Sequence, residues 1–304
     1  MRLIIANILF WISLTAYSQH FPVYSQYVLN GLVINPAYAG CREVLSASVM
    51  YRNQWVGFEG APVTATLSAH MPLRNKAIAL GLVLINEKIG FTNNVSCFGE
   101  YAYRIRIGKG KLSLGFKGGF EMLKDDQSQI STQNPDNVFN NNVGYFLPNF
   151  GFGAFYYSPK FFFGVSVPKF LSYREASKGK GFEPYNNPDN YNFLVTTGKV
   201  FRINDNFKIK PSTLLRYQIN SSFQCDLNCN VILFKGDLLW VGISYRAKEA
   251  IVGLLEYQIN PQMRIGYSYD YSLGPLSKYN SGSHEILFRY EFRYKINAVN
   301  PRYF

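Results

Sequence analysis

His284–Tyr294 reads HEILFRYEFRY. Ile286, Phe288, Tyr290, Phe292 and Tyr294 share one parity, and Glu285, Leu287, Arg289, Glu291 and Arg293 the other. Side chains alternate across a strand, so one face is aromatic and apolar and the opposite face is mostly charged. A soluble sandwich would bury the first face and wet the second. A membrane barrel turns the apolar face to lipid and the polar face to its lumen.

The pattern recurs along the chain. Leu45, Ala47, Val49 and Tyr51 oppose Ser46, Ser48, Met50 and Arg52, and Val63, Ala65, Leu67 and Ala69 oppose Thr64, Thr66, Ser68 and His70. A third strand begins at Ile78, and Tyr101, Tyr103 and Ile105 oppose Glu100, Arg104 and Arg106. Leu112–Glu121 alternates in the same way. Further strands fit Asn149–Tyr157, Phe161–Val167, Asn192–Phe201, Phe207–Tyr217, Phe223–Leu233, Leu238–Tyr245, Ala250–Tyr257 and Met263–Tyr271. The total is about fourteen, an even number of roughly ten-residue segments, as a single-chain bacterial outer-membrane barrel requires.

The connections sort by parity. One set is short: Pro72–Lys76, Gly108–Lys111, Ser158–Lys160, Ile203–Asp205, Phe234–Asp237 and Ile259–Gln262. The other is longer and more variable, with Leu123–Pro148, Pro168–Tyr191 and Ser272–Ser283. Short periplasmic turns and long extracellular loops mark an all-β transmembrane antiparallel barrel. A soluble sandwich has no reason to sort its loops in this way.

Composition agrees. Of 304 residues, 16% are charged and 17% aromatic, against about 25% charged in an ordinary soluble domain. Arg2 followed by the apolar run Leu3–Leu14 and the small residues Ala16 and Ser18 reads as a secretory signal peptide over 1–18. No apolar run reaches ~18 residues, so no transmembrane helix is expected. The expected division is a periplasmic or plug segment at 19–43, a barrel at 44–295 and a periplasmic tail at 296–304. Tyr24, Tyr27, Leu29, Leu32, Ile34 and Tyr38 are too apolar for a free tail, so Ser25–Gly40 should be ordered against the periplasmic mouth or inside the barrel.

Chemistry is sparse. Cys41, Cys97, Cys225 and Cys229 are the four cysteines. Cys225 and Cys229 share a strand face roughly 13 Å apart, too far for a bridge, and no His or carboxylate stands at metal-ligand spacing. Ser68, His70 and Glu100 could share the lumen, but no strained G-x-S-x-G turn supports a hydrolase. The inward Glu100, Arg104, Arg106, Lys117, Glu121, Arg216, Arg264, Asp270, Arg289, Glu291 and Arg293 read as a mixed-charge network that fills the lumen. Tyr and Trp near strand ends, among them Tyr51, Trp55, Tyr101, Tyr103, Tyr157 and Tyr271, mark the membrane interfaces. No enzyme, cofactor or nucleic-acid function is implied, although the net charge is +12. Much of that charge falls on the short-turn rim, at Arg74, Lys76, Lys109, Lys111, Lys160, Lys235 and Arg302. The rim would attract lipid phosphates or steer an acidic periplasmic partner.

Ser25–Gly40, SQYVLNGLVINPAYAG, resembles the opening of the PorP/SprF family of type IX secretion proteins, as does Tyr51–Pro62, YRNQWVGFEGAP. Thr64–Leu73, Asn86–Asn94, Tyr101–Gly119 and the closing NPRYF of Asn300–Phe304 are also similar. The motif residues are Asn35, Pro36, Ala37, Tyr38, Gly40, Arg52, Asn53, Gln54 and Trp55. The resemblance implies a bacterial outer-membrane barrel attached to the type IX secretion and gliding machinery. Its partners would be secretion proteins of the periplasm or outer membrane, the C-terminal domain of a secreted surface adhesin, and outer-membrane lipid. The competing function is an outer-membrane channel or transporter for small hydrophobic or polar solutes.

Overall fold

Alternating apolar and polar residues can satisfy lipid outside and water inside only if the sheet has no open edge. The computed structural model closes it. It describes residues 23–125, 143–175, 182–219 and 223–292. The signal sequence, the Asn-rich run Asn134–Asn142, Arg293, the tail at 296–304 and Arg302 fall outside these.

Strands β1 (Leu45–Asn53), β2 (Val63–Pro72), β3 (Ile78–Ile89), β4 (Thr92–Ile107), β5 (Gly110–Asp125), β6 (Val143–Tyr157) and β7 (Phe161–Val167) form the first half of the wall. A small hairpin, β8 (Ser172–Glu175) and β9 (Phe182–Tyr185), stands in the following loop. The wall resumes with β10 (Phe193–Lys199), continued after Val200 by β11 (Phe201–Asn204). It ends with β12 (Phe207–Tyr217), β13 (Gln224–Leu233), β14 (Leu239–Arg246), β15 (Ala250–Gln258), β16 (Met263–Ser272) and β17 (Ser283–Phe292). Around the wall neighbouring strands pair antiparallel, β7 pairs with β10 past the hairpin, β10 and β11 make one broken stave against β12, and β1 pairs with β17 from Leu45↔Phe292 to Asn53↔His284. The result is a closed barrel of fourteen staves.

The faces divide as the alternation requires. In β17, Ser283, Glu285, Leu287, Arg289 and Glu291 are buried, while Ile286 and Phe288 are exposed outward. Tyr51, Tyr101, Tyr103 and Tyr271 stand outside the wall and are exposed. Tyr157 differs from its expected place in that belt: it shares the inward parity of Phe155 and is only partly exposed. Arg106 also differs, because β4 runs past the mouth there and leaves it exposed.

Both ends of the strand series, Leu45 and Phe292, lie at the end of the barrel that carries the short turns. That end faces the periplasm in outer-membrane barrels. The far end is less uniform than the loop lengths suggested. Its β3–β4 connection is only residues 90–91, and β14–β15 is residues 247–249. Gly90 makes the first turn possible, with φ +56 that favours glycine. Asn86–Asn94 is therefore the tip of a continuous hairpin, paired as far as Ile89↔Thr92.

Candidate functional site: the N-terminal segment and the periplasmic rim

The lumen is occupied by the chain itself. Residues 23–44 run through it from the far half to the periplasmic mouth. At the upper end, Ser25 Oγ donates to Asp270 Oδ2 at 2.7 Å, and the Ser25 and Gln26 amides donate to Glu285 at 2.9 and 2.8 Å. Lower down, Asn228 Nδ2 donates to the Tyr27 hydroxyl at 2.6 Å and Arg289 Nη1 to the Leu29 carbonyl at 2.9 Å. Asn30 Nδ2 donates to Ser68 Oγ at 2.8 Å, and Ser166 Oγ to the Ile34 carbonyl at 2.6 Å. At the mouth, Arg104 Nη1 donates to the Gly40 carbonyl at 2.6 Å and Arg42 Nη1 to Glu291 at 2.9 Å. Lys111 closes the run by pairing with Glu43, and this hydrogen bond holds the Glu43 carboxyl below its usual range. The anchors come from β2, β4, β5, β7, β13, β16 and β17, so the segment is a plug tied to the wall on both sides of the closing seam.

The family-motif residues explain themselves here. Asn35 caps a short 3-10 turn, Pro36–Tyr38, by accepting from the Ala37 amide at 2.9 Å. Its Nδ2 donates to the carbonyls of Ala154 at 3.1 Å and Val165 at 3.2 Å, fastening the turn to β6 and β7. Pro36 supplies the fixed φ suited to the first position of such a turn. Tyr38 packs edge-on against His70 and Phe155, with ring centroids 5.7 and 5.6 Å away. Two strand glycines make the seat. A Cβ at Gly115 would lie 2.2 Å from the Ala37 nitrogen, and one at Gly153 2.1 Å from Asn35 Oδ1. Gly40 donates its amide to His70 Nδ1 at 3.0 Å. Arg52 and Asn53 end β1, the Gln54 amide donates to the Pro62 carbonyl, and the Trp55 amide donates to Ser283 Oγ.

Apolar packing completes the plug. Tyr24, Tyr27, Leu29, Val33 and Ile34 form one core with Met50, Leu194, Leu214, Leu254 and Leu287 of the wall. Leu32 and Ala39 form a second with Ala79, Val83 and Ala102. Burial raises the Tyr24 and Tyr27 hydroxyls well above the ordinary phenol range. It also pushes the Cys41 thiol up to about 12, which leaves it protonated and unreactive.

The lumenal charges sort into groups. Near the far end, Arg52 pairs with Asp270 at 2.8 Å and Glu285 at 3.1 Å. Arg246 meets Asp226, Asp270 and Glu249 at 3.4 Å, and Arg216 meets Asp226 at 2.8 Å. Near the periplasmic mouth, Arg289 pairs with Glu256, Arg264 approaches Glu256 at 3.6 Å, and Arg42 holds Glu291. Lys169 pairs with Glu121 at 2.6 Å on the far side, and Lys117 lies 4.2 Å over the Phe98 ring. Arg42, Asp226, Arg246 and Glu256 join the expected network, as do Arg52 and Glu285, which the alternation places on the inward faces of their strands. The inward parity of Asp226, Arg246 and Glu256 on their strands was the available signal. Ser68 and His70 spend their hydrogen bonds on the plug, at Asn30 and Gly40, and not on each other.

The rim residues are spread over the turns. Arg74 and Lys76 follow β2, Lys109 lies in the β4–β5 turn, Lys160 precedes β7 and Lys235 lies in the β13–β14 turn. All five are exposed, and among the described residues none makes an ion pair. Lys111 differs, being taken by Glu43. Asp205 and Asp237, acids of the short turns, are taken by Arg202 and Lys208 at 2.5 Å each.

No curated protein matches the chain. Among solved structures it is similar to the CymD monoaromatic hydrocarbon channel, at TM-score 0.51 and 14% identity, over 90% of this chain and 94% of that one. It is also similar to the toluene transporter TbuX of Ralstonia pickettii, at TM-score 0.52 and 10% identity, over 91% and 96%. At such identities the likeness shows a shared outer-membrane barrel fold alone. The family model for the type IX secretion system membrane protein PorP/SprF matches residues 16–290. With that match over most of the sequence, and with a closed lipid-facing barrel to carry it, the chain belongs to the PorP/SprF family of type IX secretion membrane proteins and resides in the bacterial outer membrane.

Proposed function

We propose that this barrel is a docking accessory of the type IX secretion and gliding machinery. It binds secretion proteins of the periplasm or outer membrane and helps secrete or anchor a surface adhesin through that cargo's C-terminal domain. It works by binding, with no covalent chemistry. The observation that carries this reading is the lumen: a barrel whose interior is filled and tied by its own N-terminal segment offers surfaces, not a path.

The rim supports it. Arg74, Lys76, Lys109, Lys160 and Lys235 present one sign of charge beside acids that are already paired. A one-signed surface speeds encounter with an acidic partner over a Debye length of ~8 Å at physiological salt. The test is the fourfold variant Arg74→Glu, Lys76→Glu, Lys109→Glu and Lys160→Glu. Lys111 is spared because it holds the plug. Association of the solubilised barrel with type IX components from its native membranes should slow roughly tenfold at low salt. The difference should shrink as salt rises. Unchanged association at low salt, with the variant folded, would leave the rim to lipid phosphates.

A further inference from the structure

The plug does not use the periplasmic half of the lumen evenly. Asn35–Gly40 lies against β2, β4, β5, β6 and β7. The wall across from it presents Lys210 of β12, Trp240 of β14 and Arg264 of β16, with Phe162 at the start of β7. These four face inward and are each partly exposed. Lys210 is three residues into β12, about 10 Å along the strand from its periplasmic end.

Lys210 is the unusual member. Its Nζ stands 5.0 Å from the Trp240 ring centroid and 5.3 Å from that of Phe162. It makes no ion pair and no hydrogen bond with any other described residue. Two aromatic faces attract a withdrawn ammonium but accept none of its hydrogen bonds, and its three N–H donors want acceptors. The surroundings do not supply them. Arg42, Lys210, Arg264 and Arg289 gather in this half against Glu256 and Glu291; the arginines hold each acid through its Oε1, and the buried Glu256 Oε2 hydrogen-bonds neither Lys210 nor any other described residue. The Trp240 indole N–H is buried without a partner. A cation between aromatic faces beside an unmet N–H donor, in a region with surplus positive charge, is complementary to a carboxylate.

We propose that this inner vestibule is a binding site for an acidic side chain of a polypeptide that enters from the periplasm. Lys210 binds the carboxylate, Trp240 and Phe162 flank it, and the basic rim guides the acidic segment to the mouth. The idea rests on the docking reading and adds the residues that receive the partner. Lipid is a poor occupant, because the site faces the lumen.

The probe is fluorescein-labelled hexaglutamate, followed by anisotropy with the full barrel in detergent. Saturable binding is expected, competed by unlabelled hexaglutamate but not by hexaglutamine. Lys210→Met should weaken it at least about tenfold, the usual loss of a charge-assisted hydrogen bond. Lys210→Arg should stay within about threefold. The peptide should also protect Lys210 of the unaltered barrel from acetylation, read by mass spectrometry, a readout that does not depend on any variant folding. Equal binding of hexaglutamine, unchanged affinity in a folded Lys210→Met barrel, or unprotected Lys210 would overturn the site. Glutarate competing as well as the peptide at equal carboxylate concentration would overturn the polypeptide occupant in favour of small anions. A vestibule that fails these tests leaves the rim's effect on association standing, so the two readings fail separately.

Discussion

Gly115→Val should unseat the plug while leaving the barrel standing. The added Cβ would fall 2.2 Å from the Ala37 nitrogen and 2.5 Å from its Cα, against backbone that has no flexible side chain to move aside. Overpacking costs about 1–3 kcal/mol where neighbours can adjust, and here the cost falls on the plug. The wall is a continuous ladder and keeps its hydrogen bonds. Amide exchange should therefore accelerate roughly ten- to hundredfold from Asn35 to Gly40, at about 1.4 kcal/mol per decade. Protection in β4, β5 and β6 should change little. Gly115→Ala should act in the same direction, since the clash is with the first carbon. A Gly115→Val barrel with the parent's exchange pattern across the segment would show that the seat does not hold it.

Arg52→Met should lower the stability of the whole molecule. Arg52 stands on the closing seam, directly opposite Glu285 of β17, and reaches Asp270 of β16 and the Ser25 hydroxyl of the plug. It is 2% exposed, and the side chains of Asp270 and Glu285 are 3% and 0% exposed. Removing one partner of a buried ion pair strands the others and costs about 3–5 kcal/mol. Arg246, at 3.4 Å from Asp270, moderates the loss at that carboxylate only. Urea unfolding in detergent should shift by that amount. Arg52→Lys should recover part of it, because the ammonium keeps the charge but not the fork that reaches two acids and a hydroxyl at once. A Met variant as stable as the parent would mean that the seam and plug do not depend on this residue.

Much of the wall was legible because a lipid-facing strand writes its period directly into the sequence. The alternation in β1, β2 and β17 assigns inside and outside residue by residue, and the register confirms it. Local signals fail where strands outrun them. β4 and β5 each reach 16 residues, so Thr92–Gly99, with its Asn and small residues, did not read as strand. The plug was legible only as a segment too apolar to be free. Its path was not, because its anchors are as far apart in sequence as Ser25 and Glu285, and only ring closure brings them together. For the same reason Arg52 drew notice through its motif and not through its pairing. Gly115 and Gly153 look like ordinary barrel glycines until Ala37 and Asn35 are seen against them.

The most direct test of the account is the conductance of the purified, unaltered barrel in a planar bilayer. A barrel filled by residues 23–44 and built for docking should give no steady single-channel current, and Gly115→Val should give discrete openings under the same conditions. Large, steady ohmic steps from the unaltered protein would contradict it and would make the barrel a channel.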